Sequence, residues 1–178
     1  MSYVYHLVPG NFVGEVLYPL NQLRETYPDL YQSHVKKYQG RERLLTWRIP
    51  ILDCLWNDVL HFSPVHPRQI RDGFLATGYD WKPRRWFEVN PAARGFDESN
   101  TVIYYSQPRT LGDFSMRTDD FAKYDPGLLS HMVTLPAETA AYYAEAVAAG
   151  EPVFAFRLIP HVLHLGTVNC KDVGVIKV

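Results

Sequence analysis

Asp53-Cys54-Leu55-Trp56-Asn57-Asp58-Val59-Leu60-His61-Phe62-Ser63-Pro64-Val65-His66-Pro67 is the stretch on which the fold turns. Its apolar halves, residues 49–56 and 58–62, read as strands, with or without a turn at Asn57-Asp58. Short apolar runs of this kind also fit a buried helix. The two readings place the polar groups differently. On a strand, Asp58, Leu60 and Phe62 share one face, and Val59 and His61 the other. On a helix, Asp58 and His61 become neighbours. Pro64 and Pro67 bracket Val65-His66, so the chain must turn, and His66 falls just ahead of a helix beginning at Pro67. There the positive end of the helix dipole favours a neutral imidazole. Seven polar or ionisable groups packed among large apolar side chains mark the stretch either as a site or as an internal hydrogen-bonded network.

Working outward, residues 3–8 alternate as a first strand, and residues 17–23 turn through Pro19 and Asn21. Residues 28–38 read as a helix, opened by Pro28 and stopped by Gly40, with Leu30, His34 and Tyr38 on one face. Residues 67–76 form a second helix, ended by Gly78. Residues 85–90 and 101–106 alternate as strands. Residues 107–130 read as an irregular polar loop, long enough to serve as a lid or binding loop. The Ala-rich residues 136–149 are the clearest helix, and strands follow at 153–158, 161–165 and 173–178. Helices are few, strand–helix alternation is not sustained, and no Gly-rich phosphate loop is present. The class is α+β: one domain spanning residues 1–178, with a largely antiparallel sheet and helices packed on it.

Composition bounds the function. A net charge of −1 argues against general nucleic-acid binding. Cys54 and Cys170 are too few for a disulfide scaffold and read as free buried thiols. No apolar run is long enough to span a membrane and the first residues do not read as a signal peptide, so the expectation is a cytoplasmic chain. Oligomeric state is not legible. Cys-x-x-Cys, His-Glu-x-x-His and Gly-x-Ser-x-Gly spacings are all absent, so no metal ligand set is assigned. Val59-Leu60-His61-Phe62 is echoed by Val162-Leu163-His164-Leu165. If those strands are neighbours, His61 and His164 would meet on equivalent faces. Lys82, Arg84 and Arg85 are interleaved with Tyr79, Trp81 and Trp86, a mixture that either holds a phosphate and stacks a base or forms a solvated stripe.

Two phrases resemble a known family. Val4-Tyr5-His6-Leu7-Val8 resembles the first strand of ADP-ribosyltransferase-like domains, and Asp58 to Pro67 is similar to a later strand and Pro-rich phrase of the DarT-type DNA ADP-ribosyltransferases. Together they cover about fifteen residues. The resemblance implies a small nucleotide-like ligand, with NAD as cofactor. His6 would hold a ribose hydroxyl, Tyr104 or Tyr105 would stack nicotinamide, and Arg41 or Arg85 would pair with pyrophosphate. Glu151 would be the acid facing the developing oxocarbenium ion. The chain departs from the family at the third motif, because no Glu-x-Glu or Gln-x-Glu precedes a late strand. Two alternatives stand beside this reading. One is a non-catalytic interaction protein with a structural His/Asp network. The other is a hydrolase using Asp58, His61 and His66.

Overall fold

A computed structural model of the chain describes residues 2–40, 42–105 and 116–178. In chain order the elements are β1 (Val4–Leu7), β2 (Val16–Leu17), α1 (Leu20–Thr26), α2 (Pro28–Val35), β3 (Arg48–Ile49), β4 (Cys54–Leu55), β5 (Val59–Phe62) and α3 (Pro67–Ala76). They continue with β6 (Arg85–Val89), β7 (Thr101–Tyr104), β8 (Phe121–Lys123), α4 (Pro126–Ser130), α5 (Ala137–Ala148), β9 (His161–Leu165), β10 (Val168–Asn169) and β11 (Gly174–Lys177). The class is mixed α+β, and every strand pair is antiparallel.

The expected sheet is divided. Strands β1-β6-β11 form one sheet and β5-β9-β7-β8 another; β2 with β10 and β3 with β4 make small ribbons. The two larger sheets share a core on one face. Val4, Phe87 and Val89 from the first meet Leu60, Phe62 and Val162 from the second, with Phe96 and Leu129 filling the space between. Fully burying side chains of this size contributes about 1.5–3 kcal/mol each. Period-two alternation then sends Val59, Val102 and Leu163 to the other face, onto Ile49 and Phe121. It likewise sends Trp86 to the far side of the first sheet, against Tyr5 and Val178.

The 53–67 stretch resolves as strand. The chain turns at residues 50–53, pairs briefly through β4, turns again at 56–58 and enters β5. Pro67 starts α3 with its fixed φ, and the His66 imidazole caps it by accepting from the Arg68 N–H at 3.0 Å. Gly78 follows α3 at φ +77, a conformation that costs a side-chain-bearing residue about 1 kcal/mol.

Three further expectations change. Residues 17–23 do not simply turn: Pro19 sits at the N-cap of α1, where its missing N–H is harmless. Residues 153–158 are not a strand. Tyr142, Tyr143 and Thr139 of α5 take up that segment's backbone through Phe154 N to Tyr142 Oη (3.1 Å), Tyr143 Oη to the Ala155 carbonyl (2.5 Å) and Thr139 Oγ1 to the Arg157 carbonyl (3.1 Å). Leu158 is left-handed at φ +62, which ends any extended run. Of the loop expected at 107–130, residues 107–115 lie outside the described residues. The rest is ordered into a short turn, β8 and α4 rather than being irregular.

Candidate functional site

The site forms where the two sheets part. Strands β1 and β5 are joined by one bridge, Tyr5 with Ser63, through Tyr5 N to Ser63 O at 2.8 Å and Ser63 N to Tyr5 O at 2.9 Å. Antiparallel register would next set Leu7 opposite His61. No backbone hydrogen bond joins those two. Instead the His6 ring turns onto the Leu7 carbonyl, with Nδ1 donating at 2.7 Å. The carbonyl that would have closed the sheet is satisfied locally, and the strands diverge.

The wedge is closed on its outer side by α1, α2 and the 9–19 segment, leaving a cavity of about 330 Å³. Leu20, Leu23, Tyr27, Leu30 and Phe12 give it an apolar wall. The polar lining includes Asn11, His6, His34, Lys37, Tyr38, Asn57 and His61, and His34 Nε2 lies 3.0 Å from Asn11 Oδ1. No carboxylate of the described residues lines it. Leu30, His34 and Tyr38, expected on one helical face, all face this cavity.

Burial strips the two central imidazoles of charge. His6 falls to about 4, through desolvation first and then the nearby Lys37 cation, against its bond to Leu7. His61 falls to about 3, through desolvation and the neighbouring His161, His6 and Lys37. Both rings are neutral at pH 7. A carbonyl only accepts, so the bonded nitrogen of each ring carries the proton: Nδ1 of His6 toward Leu7, and Nε2 of His61 toward the Trp56 carbonyl at 3.0 Å. The bare nitrogens, Nε2 of His6 and Nδ1 of His61, are acceptors with no donor among the described residues. Asn57 adds the complementary group. It is 2% exposed, and its Oδ1 accepts from Tyr38 Oη at 2.7 Å. Its Nδ2 donor is buried without a partner. Buried orphan donors are uncommon enough in folded proteins to need a reason.

The other candidates lie elsewhere. Asp58 ties the fold together: Oδ1 accepts from Asn21 Nδ2 at 2.6 Å and Oδ2 from the Leu55 N–H at 2.7 Å. His66 caps α3 and packs edge-on against Tyr5 at 4.9 Å. Thus Asp58, His61 and His66 are each held by different partners, and no hydrogen bond links them. Tyr104 packs against Trp56 and Phe121 at 5.3 and 5.2 Å, and Tyr105 binds the Asp120 carbonyl through its N–H. Neither tyrosine lines the cavity. Arg85 is exposed at the start of β6, and Glu151 is exposed beyond α5. Arg41 lies outside the described residues. Cys54 and Cys170 are free and belong to different parts of the core.

The echoed phrase pairs as neighbours but one residue out of step. Leu60 stands opposite His164 and His61 opposite Leu163, so the two histidines occupy opposite faces. His164 instead stacks flat on Phe96 at 4.0 Å, and its Nδ1 donates to Thr101 Oγ1 at 2.9 Å. Asn57, His34, Lys37 and Tyr38 were not among the expected site residues. The signal for His34 and Tyr38 was their common helical face with Leu30. Asn57 carried none beyond its place in the 53–67 stretch.

In comparisons with known proteins, no family model, no curated protein and no solved structure matches the chain. No helix of the described residues is long and apolar enough to cross a membrane.

Proposed function

We propose that the chain binds a small nucleotide-like ligand, NAD in the first instance, in the cleft between β1 and β5, as a domain of the ADP-ribosyltransferase-like kind. One observation carries this reading: an apolar cavity is lined by His6 and His61, each with one ring nitrogen left bare, and by Asn57, whose amide donor is buried without a partner. A flat ring bearing a carboxamide, such as nicotinamide, offers the matching donor and acceptor with an apolar face. His6, the residue the resemblance assigns to the ribose, lines that cavity. Lys37 supplies the positive charge for a phosphate at its edge. The reading claims binding. No carboxylate of the described residues lines the cavity, so the proposal extends to binding alone.

The test is a thermal-shift titration with NAD, ADP-ribose and nicotinamide. At about 100 times the dissociation constant, a ligand adds roughly 2.7 kcal/mol of apparent stability. In a chain of this size that is a rise of roughly 5–10 °C. The shift should vanish in His6→Ala and in Asn57→Leu. A flat response to all three ligands at millimolar concentration would reject the reading. It would favour an interaction protein in which Asp58 and His66 are architecture, as their hydrogen bonds already suit them to be.

A further inference from the structure

We propose a second ligand site on the opposite face of the first sheet, built to take a planar aromatic ring that carries an anionic oxygen group. It is an open cleft of about 780 Å³ between the 79–84 segment, Trp86 of β6 and residues 153–157. His6 stands opposite Phe87 in register, so it shares the Phe87 face, while Trp86 points the other way. The sheet therefore separates this cleft from the one that holds His6.

Three independent features converge here. The first is a pair of orphan donors: the indole N–H groups of Trp81 and Trp86 are buried without an acceptor, and Trp86 is only 2% exposed. An indole N–H can only donate, and no oxygen or nitrogen of the described residues accepts from either. The second is aromatic surface left open. Phe154 is 60% exposed and Tyr79 is 39% exposed at the rim. Phe74 and Phe156 back them by packing on Trp81 at 5.3 Å and on Trp86 at 5.9 Å. The third is charge. Lys82, Arg84 and Arg157 line the cleft against a single carboxylate, Asp80, and none of the three cations is in an ion pair among the described residues. Arg157 instead lies over the Tyr142 ring at 5.0 Å.

Each feature selects part of one ligand. The open rings call for a flat aromatic body, and the cations and indole donors call for a phosphate or carboxylate attached to it. Of the interleaved basic and aromatic phrase of the sequence, Tyr79, Trp81, Lys82, Arg84 and Trp86 line this hollow and Arg85 does not.

The experiment is a proton–nitrogen correlation spectrum of the full chain, in which the four tryptophans give four indole signals. AMP, 4-hydroxybenzoate, uncharged adenosine and inorganic phosphate are titrated separately. Signals are assigned with Trp81→Phe and Trp86→Phe. AMP or 4-hydroxybenzoate should move the Trp81 and Trp86 indole signals downfield and leave those of Trp47 and Trp56 in place. Adenosine and phosphate should each bind at least tenfold more weakly than AMP. Arg84→Ala should weaken binding at least tenfold, and His6→Ala should leave it unchanged. The proposal is overturned if neither ring-bearing anion moves the two signals, or if the response is lost in His6→Ala but kept in Arg84→Ala. The first cleft is judged separately by its own His6-dependent thermal shift, so either site can fail without the other.

Discussion

Mild acid should unfold this protein, and four histidines set where. His6, His161 and His164 are each lowered to about 4 and His61 to about 3, with burial the leading cause in every case. In the unfolded chain a histidine titrates near 6.5. A depressed folded value means that the unfolded state binds more protons between the two values. Stability is therefore fully present above pH 6.5 and is lost as the pH falls from 6.5 toward 4. At pH 5 an unfolded histidine is almost wholly protonated and these folded ones are almost wholly neutral, so each costs about 2 kcal/mol. Four together cost roughly 6–8 kcal/mol, comparable with the roughly 5–15 kcal/mol that holds an ordinary domain folded. Urea unfolding at constant ionic strength, followed by far-ultraviolet dichroism at pH 7.5, 6.5, 5.5 and 5.0, measures this directly. Between pH 6 and 5 the slope should correspond to an uptake of about three to four protons on unfolding. Replacing His164 by Gln should lower that uptake by about one. An uptake below one proton in the parent chain would refute the argument, because the rings would then be charged or solvated in the folded state.

Two further outcomes follow from packing and pairing. A Cβ on Gly73 would meet Leu135 Cδ2 at 2.9 Å and the Tyr143 ring at 3.1 Å, where α3 lies on α5. Gly73→Ala should therefore destabilise by about 1–3 kcal/mol despite better helix propensity, and a melting temperature at or above the parent's would contradict the close approach. Asp58→Ala removes the acceptor for Asn21 and for the Leu55 N–H, and should cost about 2–3 kcal/mol. It should leave the His6-dependent ligand response intact when stability is matched, whereas a selective loss of that response would return Asp58 to the site.

The parts of the fold that were legible in the sequence are those governed by local chemistry. Pro67 and Gly78 bound α3 because one fixes φ and the other accepts a positive φ. The alternation through Trp86, Phe87, Glu88 and Val89 gave β6 and its two faces. What escaped is long-range. Whether His61 meets His164 depends on whether the register sum is odd or even, which nothing within either strand encodes. That β5 bridges β1 once and then departs depends on a side chain of one strand bonding its own neighbour's carbonyl. Residues 153–158 have the composition of a strand and lost that fate to tyrosines of a helix that precedes them. The candidate residues divide in the same way. His61 was marked by its setting in the 53–67 stretch, and His6 by its match to the first strand of the family that the chain resembles. Tyr104, Tyr105, Arg85 and Glu151 rested on a borrowed pattern and lie away from the cavity.

The lone bridge between Tyr5 and Ser63 also has a mechanical side. A continuous ladder passes its twist from strand to strand, and here one rung joins the two sheets. The two sheets are therefore held to each other chiefly by the shared packing of Val4, Phe62, Phe87 and Phe96. The cleft would thus behave as the open end of a lever. A change of one methylene in that packing would be magnified along the strands into a change of width at the cavity. Substitutions remote from the histidines would then tune what the cleft admits.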